Sequence, residues 1–254
     1  MTTAGYTVAR QATSQPTQRA YRYAVYFAPH VEQQWWADAS QWLGRCAVSQ
    51  QLNVQPLIAG VSAKRFAELT EHPRRYGFHA TMRAPFVLTS QYQPTDLIDR
   101  VNMLCRDVKP FVLPRLQVTL MDQFLALVPE RHAAQVTLLE EQCVKVLNDC
   151  AEPLGPEDLS RRRSAGLSAQ EDALLLRWGY PYVLERYRFH CSLTGSLAKA
   201  SPKEVSALTQ AAHQHFDHLP PCVFDALAIF VEPTRGADFV FIRKWPCEKL
   251  RSWV

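Results

Sequence analysis

Hydrophobic positions along the first 150 residues predict a mixture of strands and helices. The run Arg22–Pro29 (RYAVYFAP) is apolar, aromatic and stopped by proline, which is typical of a buried strand. Leu116–Pro129 predicts two short strands joined at residues 121–123. Apolar residues recur with helical spacing in three further segments, which predict amphipathic helices over 31–45, 96–108 and 132–150.

The second half of the chain continues this mixture. Residues 156–178 are charged and predict helix. Ser201-Pro202-Lys203-Glu204 combines a capping serine, a proline at the first helical position and a capping-box glutamate, which predicts a helix to about His215. Residues 224–231 and 239–245 predict a closing pair of strands. The glycine turns of a parallel dinucleotide-binding unit are missing from the sequence, so we expect an α+β protein.

Composition and charge narrow the class of protein. The chain has 254 residues, of which 47% are hydrophobic and 20% charged, and this excludes disordered, collagen-like and coiled-coil proteins. A net charge of +4 suits a small anionic ligand at least as well as a polyanion. Residues 1–20 are predicted to form a disordered polar arm, with a transit peptide as the alternative. Residues 21–254 are expected to form one domain.

Cysteine usage and hydropathy bear on the expected location. The seven cysteines are odd in number and form no C-x-x-C pair, which favours reduced thiols in the cytoplasm over disulfides or a zinc site. The longest clean apolar run, Ala226–Val231, is far shorter than the roughly 20 residues of a membrane-spanning helix. We therefore expect a cytoplasmic protein without a membrane partner.

A short repeat carries the clearest chemical signal. Residues 75–83 (RYGFHATMR, motif 1) and residues 186–194 (RYRFHCSLT, motif 2) share the pattern R-Y-x-F-H-x-[ST]. A single H-x-[ST] tripeptide arises often by chance, and a lone strand histidine is usually structural. Repetition of the same polar positions favours function, because packing alone does not require them twice. Each motif is expected to belong to one lobe of a two-lobed domain.

Strand geometry predicts which side chains of each motif share one face of the strand. Side chains alternate with period two, so the polar side chains of each motif share one face and the apolar ones share the other. The predicted polar set is His79, Thr81 and Arg83 in motif 1, and Arg188, His190 and Ser192 in motif 2. Tyr76 and Tyr187 are predicted either to pack or, where a strand bulges, to stack on a substrate ring.

The chemistry of this set suits a phosphoester. An imidazole has an unperturbed pKa of about 6.5, so one histidine can accept a proton while the other donates one. The two hydroxyls can donate hydrogen bonds to phosphate oxygens, and the two guanidiniums can neutralise charge on a phosphorane. This arrangement requires neither a metal nor another cofactor.

The motifs resemble those of the two-histidine (2H) phosphoesterase superfamily. The similarity is closest to a branch of bacterial proteins found alongside phosphonate-breakdown genes, and it extends over the segments 22–29, 42–45, 74–86, 124–129 and 178–195. The resemblance implies a bilobal fold in which antiparallel sheets line a central cleft with helices outside. It implies that His79 and His190 are catalytic and that Thr81 and Ser192 hold the phosphate. A cyclic phosphodiester of a ribose or nucleotide, or an RNA end, is the implied substrate.

Two other clusters offer rival interpretations. His213–His218 spells H-x-H-x-D-H, which resembles a metallohydrolase signature, but no histidine follows it to complete two metal sites. A polar helix end is the simpler interpretation. Arg161–Arg163 is interpreted as a solvated helix face, whereas RNA-end processing predicts that it borders the cleft. Two further alternatives are kept. Residues 156–178 are a candidate lid over the cleft, and a non-catalytic nucleotide- or RNA-binding module is the alternative to an enzyme.

Overall fold

The computed structural model describes residues 19–106, 108–164 and 166–247. The predicted arm at residues 1–20 therefore lies almost wholly outside the described residues. Strands in the described part are β1 (Arg22–Phe27), β2 (Ala80–Phe86), β3 (Phe111–Val112), β4 (Leu116–Met121), β5 (Phe124–Pro129), β6 (Cys191–Ser192), β7 (Val223–Phe224), β8 (Ala226–Glu232) and β9 (Val240–Pro246). Helices there are α1 (Gln34–Leu43), α2 (Ala63–Tyr76), α3 (Pro94–Arg106), α4 (Ala134–Val146), α5 (Pro156–Arg163), α6 (Ala169–Trp178) and α7 (Pro202–Phe216).

One large antiparallel sheet organises the molecule. Its strand order is β4-β5-β6-β2-β1-β8-β9, and β3 pairs separately with β7. The two-residue strand β6 joins the halves, because Cys191 pairs with Ala80 of β2 and Ser192 pairs with Ala126 of β5. The α+β class is confirmed, and the antiparallel strands of the two halves form a single continuous sheet.

Most predicted elements are present with adjusted ends. The strand predictions for 22–29, 116–129 and the closing pair correspond to β1, β4–β5 and β8–β9. The helix predicted over 132–150 is shorter, and residues 156–178 form two helices, α5 and α6. Ser201 caps α7 with the predicted capping box. Within the described ranges, no helix has both the length and the apolarity to cross a bilayer.

Motif 1 corrects the prediction that each motif is an unbroken strand. Residues 75–76 belong to α2, whose buried residues Phe66, Leu69, Thr70 and Pro73 follow helical spacing. The helix ends at Gly77, whose φ of 76° and ψ of 175° lie in a region that is essentially restricted to glycine. The strand then begins at Ala80, so period-two alternation does not apply before that residue.

A proline in α2 helps to join the two halves. Pro73 has no N–H, so it cannot donate to the carbonyl of Leu69, four residues earlier. That carbonyl instead accepts a hydrogen bond of 2.7 Å from the backbone N–H of Gly195, immediately after motif 2. Trp42 of α1 also donates from its indole nitrogen to the carbonyl of Leu193, at 3.0 Å. These two contacts fix the end of motif 2 against the helices of the first half.

Candidate functional site

A cleft of about 610 Å³ brings the two motifs together. His79 and Thr81 of motif 1 and His190 and Ser192 of motif 2 line it. Both pairs sit where β2 and β6 meet in the sheet, because Ala80 pairs with Cys191. The structure therefore places five of the eight predicted side chains in one cavity: the two histidines, the two hydroxyls and Tyr76. A volume of this size suits a small-molecule ligand.

Both histidines are oriented by the same backbone device. Nδ1 of His79 lies 2.8 Å from the carbonyl oxygen of Gly77, and Nδ1 of His190 lies 2.7 Å from that of Arg188. A carbonyl oxygen is an acceptor, so Nδ1 carries the proton in each ring and donates it. Nε2 of each neutral ring is left with a lone pair. At that atom each imidazole can act as a base or, once protonated, as an acid.

The surroundings of the two rings differ. His79 stacks on the buried ring of Tyr26, with ring centroids 3.8 Å apart. Burial lowers the pKa of His79 to about 4, against the opposing effect of the Gly77 carbonyl, and the charge of a protonated His190 lowers it further. Burial also lowers the pKa of His190 from its usual value. The effect of His190 on the pKa of His79 agrees with the position of both rings in one cleft.

The structure places Arg83 outside the cleft, which corrects the sequence prediction. Tyr26 pairs with Thr81 but its neighbour Val25 pairs with Arg83, so a bulge in β2 interrupts the alternation. Paired residues share a face, and Arg83 therefore points with Val25 to the opposite side of the sheet. Its guanidinium is buried there and donates to the carbonyl of Trp178 at 2.6 Å.

Motif 2 contributes neither its arginine nor its tyrosine to the cleft. Arg188 lies before the two-residue strand β6, so strand pairing does not direct its side chain toward the cleft. The side chain is exposed and lines a separate pocket. Tyr187 lines that same pocket and its hydroxyl contacts the sulfur of Met82 at 3.6 Å, as a packing residue. Tyr76, by contrast, does line the cleft and stacks on Phe239 with centroids 4.8 Å apart.

The arginines that do line the cleft were not among the predicted substrate-binding residues. Arg75 and Arg22 both contact the carboxylate of Glu232, a fully buried residue opposite Arg22 in the β1–β8 ladder. Arg75 begins the repeated R-Y-x-F-H pattern, and that repetition was the available signal. Period-two alternation in an unbroken strand would also put residue 75 on the face of His79, whereas in the structure it is helix α2 that brings Arg75 to the cleft.

Helix α5 borders the cleft as well. Asp158, Arg161 and Arg162 line it, whereas Arg163 forms a two-bond ion pair with Asp172 outside it. Arg161 and Arg163 are exposed, as a solvated helix face predicts, whereas Arg162 is half-buried, and Arg161 and Arg162 border the cleft. This position agrees with the arrangement that RNA-end processing predicts, although it is equally open to any anionic ligand.

The rival histidine cluster is engaged in other contacts. Nδ1 of His213 lies 2.9 Å from the carboxylate of Asp217, and Nε2 of His215 lies 2.9 Å from the carbonyl oxygen of Asp38. Across the described ranges, no three His, Cys, Asp or Glu side chains are grouped to hold a metal ion. All seven cysteines are free thiols, and Cys191, the one within a motif, is buried on the apolar side.

Two curated relatives match most of this chain. The chain is 38% identical over 228 residues to "Ribose 1,5-bisphosphate phosphokinase PhnN" of Janthinobacterium sp. (strain Marseille), covering 89% of this chain and 50% of that protein. It is 36% identical over 222 residues to the protein of the same name from Laribacter hongkongensis (strain HLHK9), covering 87% and 51%. The chain thus spans about half the length of the curated relatives it matches.

Solved structures of phosphoesterases are among the structural neighbours. E. coli LigT complexed with NADP+ has a TM-score of 0.40 at 10% identity, covering 91% of this chain and 100% of that one. E. coli LigT complexed with 3'-AMP has a TM-score of 0.38 at 10% identity, covering 90% and 98%.

A protein-family model gives the most direct placement. The model described as "Protein of unknown function (DUF1045)" matches residues 81–240. This range contains β2 except its first residue, Ala80, both hydroxyl-bearing positions of the cleft and all of motif 2. The matched range exceeds half of the chain, and the chain therefore belongs to the DUF1045 family.

Proposed function

We propose that this protein is a metal-independent phosphoesterase that hydrolyses a cyclic phosphodiester by two-histidine acid–base catalysis. The observation that carries the proposal is the paired orientation of His79 and His190. Both rings line one cleft, both direct Nδ1 to a backbone carbonyl, and both keep Nε2 for a ligand. Structural histidines have no need of this matched arrangement beside matched hydroxyls.

The reaction follows from these positions. The neutral histidine accepts a proton at Nε2 from water, whose oxygen forms a bond to phosphorus. The protonated histidine donates its Nε2 proton to the leaving ribose oxygen as that oxygen separates from phosphorus, so the ring opens to a phosphate monoester. The hydroxyls of Thr81 and Ser192 donate to the non-bridging oxygens, where charge develops in the transition state.

The surroundings of the rings support an assignment of the two roles. Burial against Tyr26 lowers the pKa of His79 to about 4, so this ring stays neutral and suits the base. The hydrogen bond of His190 to the Arg188 carbonyl is exposed to solvent, whereas that of His79 to the Gly77 carbonyl is partly buried, so we assign His190 as the ring that is protonated. A bound phosphate stabilises that protonated form, which suits the acid.

A phosphorylated ribose is the substrate class that the relatives support. The name of both relatives refers to a ribose bisphosphate. The resemblance of the motifs to proteins found alongside phosphonate-breakdown genes indicates the same area of metabolism. We therefore propose a ribose or nucleotide cyclic phosphate as substrate and a cytoplasmic role in phosphonate catabolism, with no cofactor. RNA ends are the second substrate class within the same chemistry.

The decisive experiment is hydrolysis of nucleoside 2′,3′-cyclic phosphates and ribose cyclic phosphate in the presence of EDTA. We expect turnover in EDTA and losses of about 10²-fold or more in His79→Ala and in His190→Ala. His213→Ala is the matched control, because this histidine lies on the exposed end of α7, and it should retain wild-type turnover.

Three results would contradict the proposal. Turnover abolished by EDTA but retained in both cleft variants would support a metal-dependent hydrolase instead. Tight nucleotide binding with no product at any pH would support the non-catalytic binding module. Equal turnover in the wild type and both histidine variants would show that neither His79 nor His190 acts as the acid or the base.

A further inference from the structure

The arginines that line the cleft differ in whether a carboxylate pairs with them. Five arginines and two carboxylates, Asp158 and Glu232, line the cavity. Arg22 and Arg75 share Glu232, Arg161 pairs with Asp158, and Arg235 pairs with Glu157 at 3.4 Å. In the described ranges, Arg162 is the one cleft arginine for which the structure shows no carboxylate partner. The cavity therefore holds more positive charge than its own carboxylates neutralise.

Arg162 is also short of a hydrogen-bond acceptor. Its Nε atom is buried from solvent and has no hydrogen-bond partner in the described protein. Its guanidinium lies over the ring of Tyr180, 5.2 Å from the centroid, which fixes the plane of the group without using its N–H donors. An unmade hydrogen bond at a buried charged group is costly. The fork of Nε and Nη donors matches two oxygens of one phosphate.

This region is separate from the histidine end of the cleft. Arg22 and Tyr26 lie on the same face of β1, four residues and about 13 Å apart along the strand. His79 stacks on Tyr26, whereas Arg22 is near enough to Arg162 to lower its pKa, after the larger effect of burial. Arg161 lowers the pKa of Arg162 as well, and none of these three arginines is among the charges that shift the pKa of either imidazole, so their positive charge is concentrated away from the two histidines.

We infer that the cleft contains a second anion subsite, centred on Arg162, that binds a terminal phosphate monoester of the substrate. The inference rests on the proposed function, since the histidines and hydroxyls take the phosphodiester and the subsite takes the second phosphate. A cavity of about 610 Å³ favours a small phosphorylated sugar or nucleotide over a polynucleotide. The substrate class is thus a sugar that carries both a cyclic phosphodiester and a separate phosphate monoester.

A binding experiment tests the subsite without requiring turnover. Calorimetry with ribose 5-phosphate should show binding to the wild type and to His79→Ala, and about 10- to 100-fold weaker binding to Arg162→Gln. Arg163→Gln is the matched control, because it removes a neighbouring charge of the same helix outside the cleft, and it should keep wild-type affinity. Equal affinities in Arg162→Gln and Arg163→Gln would overturn the inference. Arg162→Lys, which keeps the charge, serves if the glutamine variant fails to fold.

A kinetic experiment links the subsite to the substrate. For adenosine 2′,3′-cyclic phosphate with and without a 5′-phosphate, we expect a higher kcat/KM for the phosphorylated form. This preference should fall about 10- to 100-fold in Arg162→Gln and persist in Arg163→Gln. No preference in the wild type would overturn the inference while leaving the proposed function intact. A cyclic-phosphate-ended trinucleotide hydrolysed more efficiently than either mononucleotide would overturn it in favour of RNA.

Discussion

Motif 1 and motif 2 are nearly identical in sequence but occupy different local structures. Motif 1 begins as the last turn of α2 and continues into the seven-residue strand β2. Motif 2 follows a short 3₁₀ turn, Leu184–Arg186, and contributes only the two-residue strand β6. Despite this, each histidine makes the same contact with the carbonyl two residues before it. The repeat therefore specifies the orientation of the imidazole rather than a secondary structure.

The residues around the histidines diverge between the motifs. Arg75 of motif 1 reaches Glu232 in the cleft, while its counterpart Arg186 pairs with Glu171 at 2.7 Å, beside the start of α6. Tyr76 lines the cleft, while its counterpart Tyr187 packs elsewhere against Met82. Motif 1 thus contributes four side chains to the cleft lining, whereas motif 2 contributes a histidine and a hydroxyl and uses its other polar side chains in contacts elsewhere.

The largest difference in unfolding free energy between the motifs is expected at their variable position, which is Gly77 in motif 1 and Arg188 in motif 2. Gly77→Ala places a side chain in a glycine-only conformation and puts its Cβ 2.6 Å from the Cβ of Ala47. We expect it to lower the free energy of unfolding by about 2–4 kcal/mol. Arg188→Ala, at the matching exposed position, should change it by less than about 0.5 kcal/mol. Urea denaturation of both variants measures the contrast, and equal midpoints would contradict the structural difference.

The two hydroxyls should behave alike, because the proposed function gives them the same task. Thr81→Ala and Ser192→Ala each remove one donor to a phosphate oxygen, and each should lower kcat/KM by about 10- to 100-fold. Thr81→Ser and Ser192→Thr retain the hydroxyl and should recover most of the activity. Steady-state kinetics on the preferred cyclic phosphate makes the comparison. Wild-type kcat/KM in either alanine variant would show that its hydroxyl does not hold the phosphate.

The pH dependence should reveal the unequal surroundings of the histidines. The acid must be protonated, and the lowered pKa of His190 means that its proton is lost at a pH below the usual 6.5. The base must be neutral, and His79 meets this condition down to about pH 4. We therefore expect kcat/KM to be greatest on the acidic side of pH 6.5 and to decline toward pH 8. A plateau through pH 8, or a changed profile in the His213→Gln control, would contradict this assignment.

A smaller effect, on the pH dependence of stability, is expected at Glu140, which lies between motif 1 and the segment that precedes motif 2. Glu140 is buried near Arg83 of motif 1, and it accepts a hydrogen bond of 3.2 Å from the N–H of Leu184, shortly before motif 2. Burial raises the pKa of this carboxyl to about 8 in the fold, above its unfolded value of 4.5. The resulting stability is fully present below pH 4.5 and is lost as the pH rises through 8.

Glu140→Gln should remove this pH dependence. Between pH 7 and pH 9 the wild type should lose about 1 kcal/mol of unfolding free energy relative to the variant, because only the wild type ionises there. Thermal unfolding of both proteins across that range gives the measurement. Parallel curves for the two proteins would show that the carboxyl keeps an ordinary pKa in the fold.

Periodicity predicted the class of fold, and repetition predicted four of the side chains that the cleft brings together. Helix α7 was predicted from its capping box and β8–β9 from their apolar runs, since these signals are local. His79, Thr81, His190 and Ser192 were found through the repeat. Arg83 was misplaced because the bulge in β2 depends on pairing with β1, which no local pattern records.

The charged lining of the cleft was the part that sequence could not assign. Glu232 lies 210 positions from Arg22, and their contact follows from the β1–β8 register. Arg162 and Arg163 are adjacent in sequence, yet one lines the cleft and the other pairs with Asp172. Such differences arise from tertiary packing, so composition and spacing leave them open.

The position of β1 in the sheet has a consequence for how the chain acquires its site. This strand is synthesised before both of its partners, which are β2, about 60 residues later, and β8, about 200 residues later. Pairings so distant in sequence slow folding, because long loops must close before the contacts are made. The cleft therefore forms late and as a whole. On a ribosome, the first strand must wait for β8 to emerge, so activity reports completion of folding.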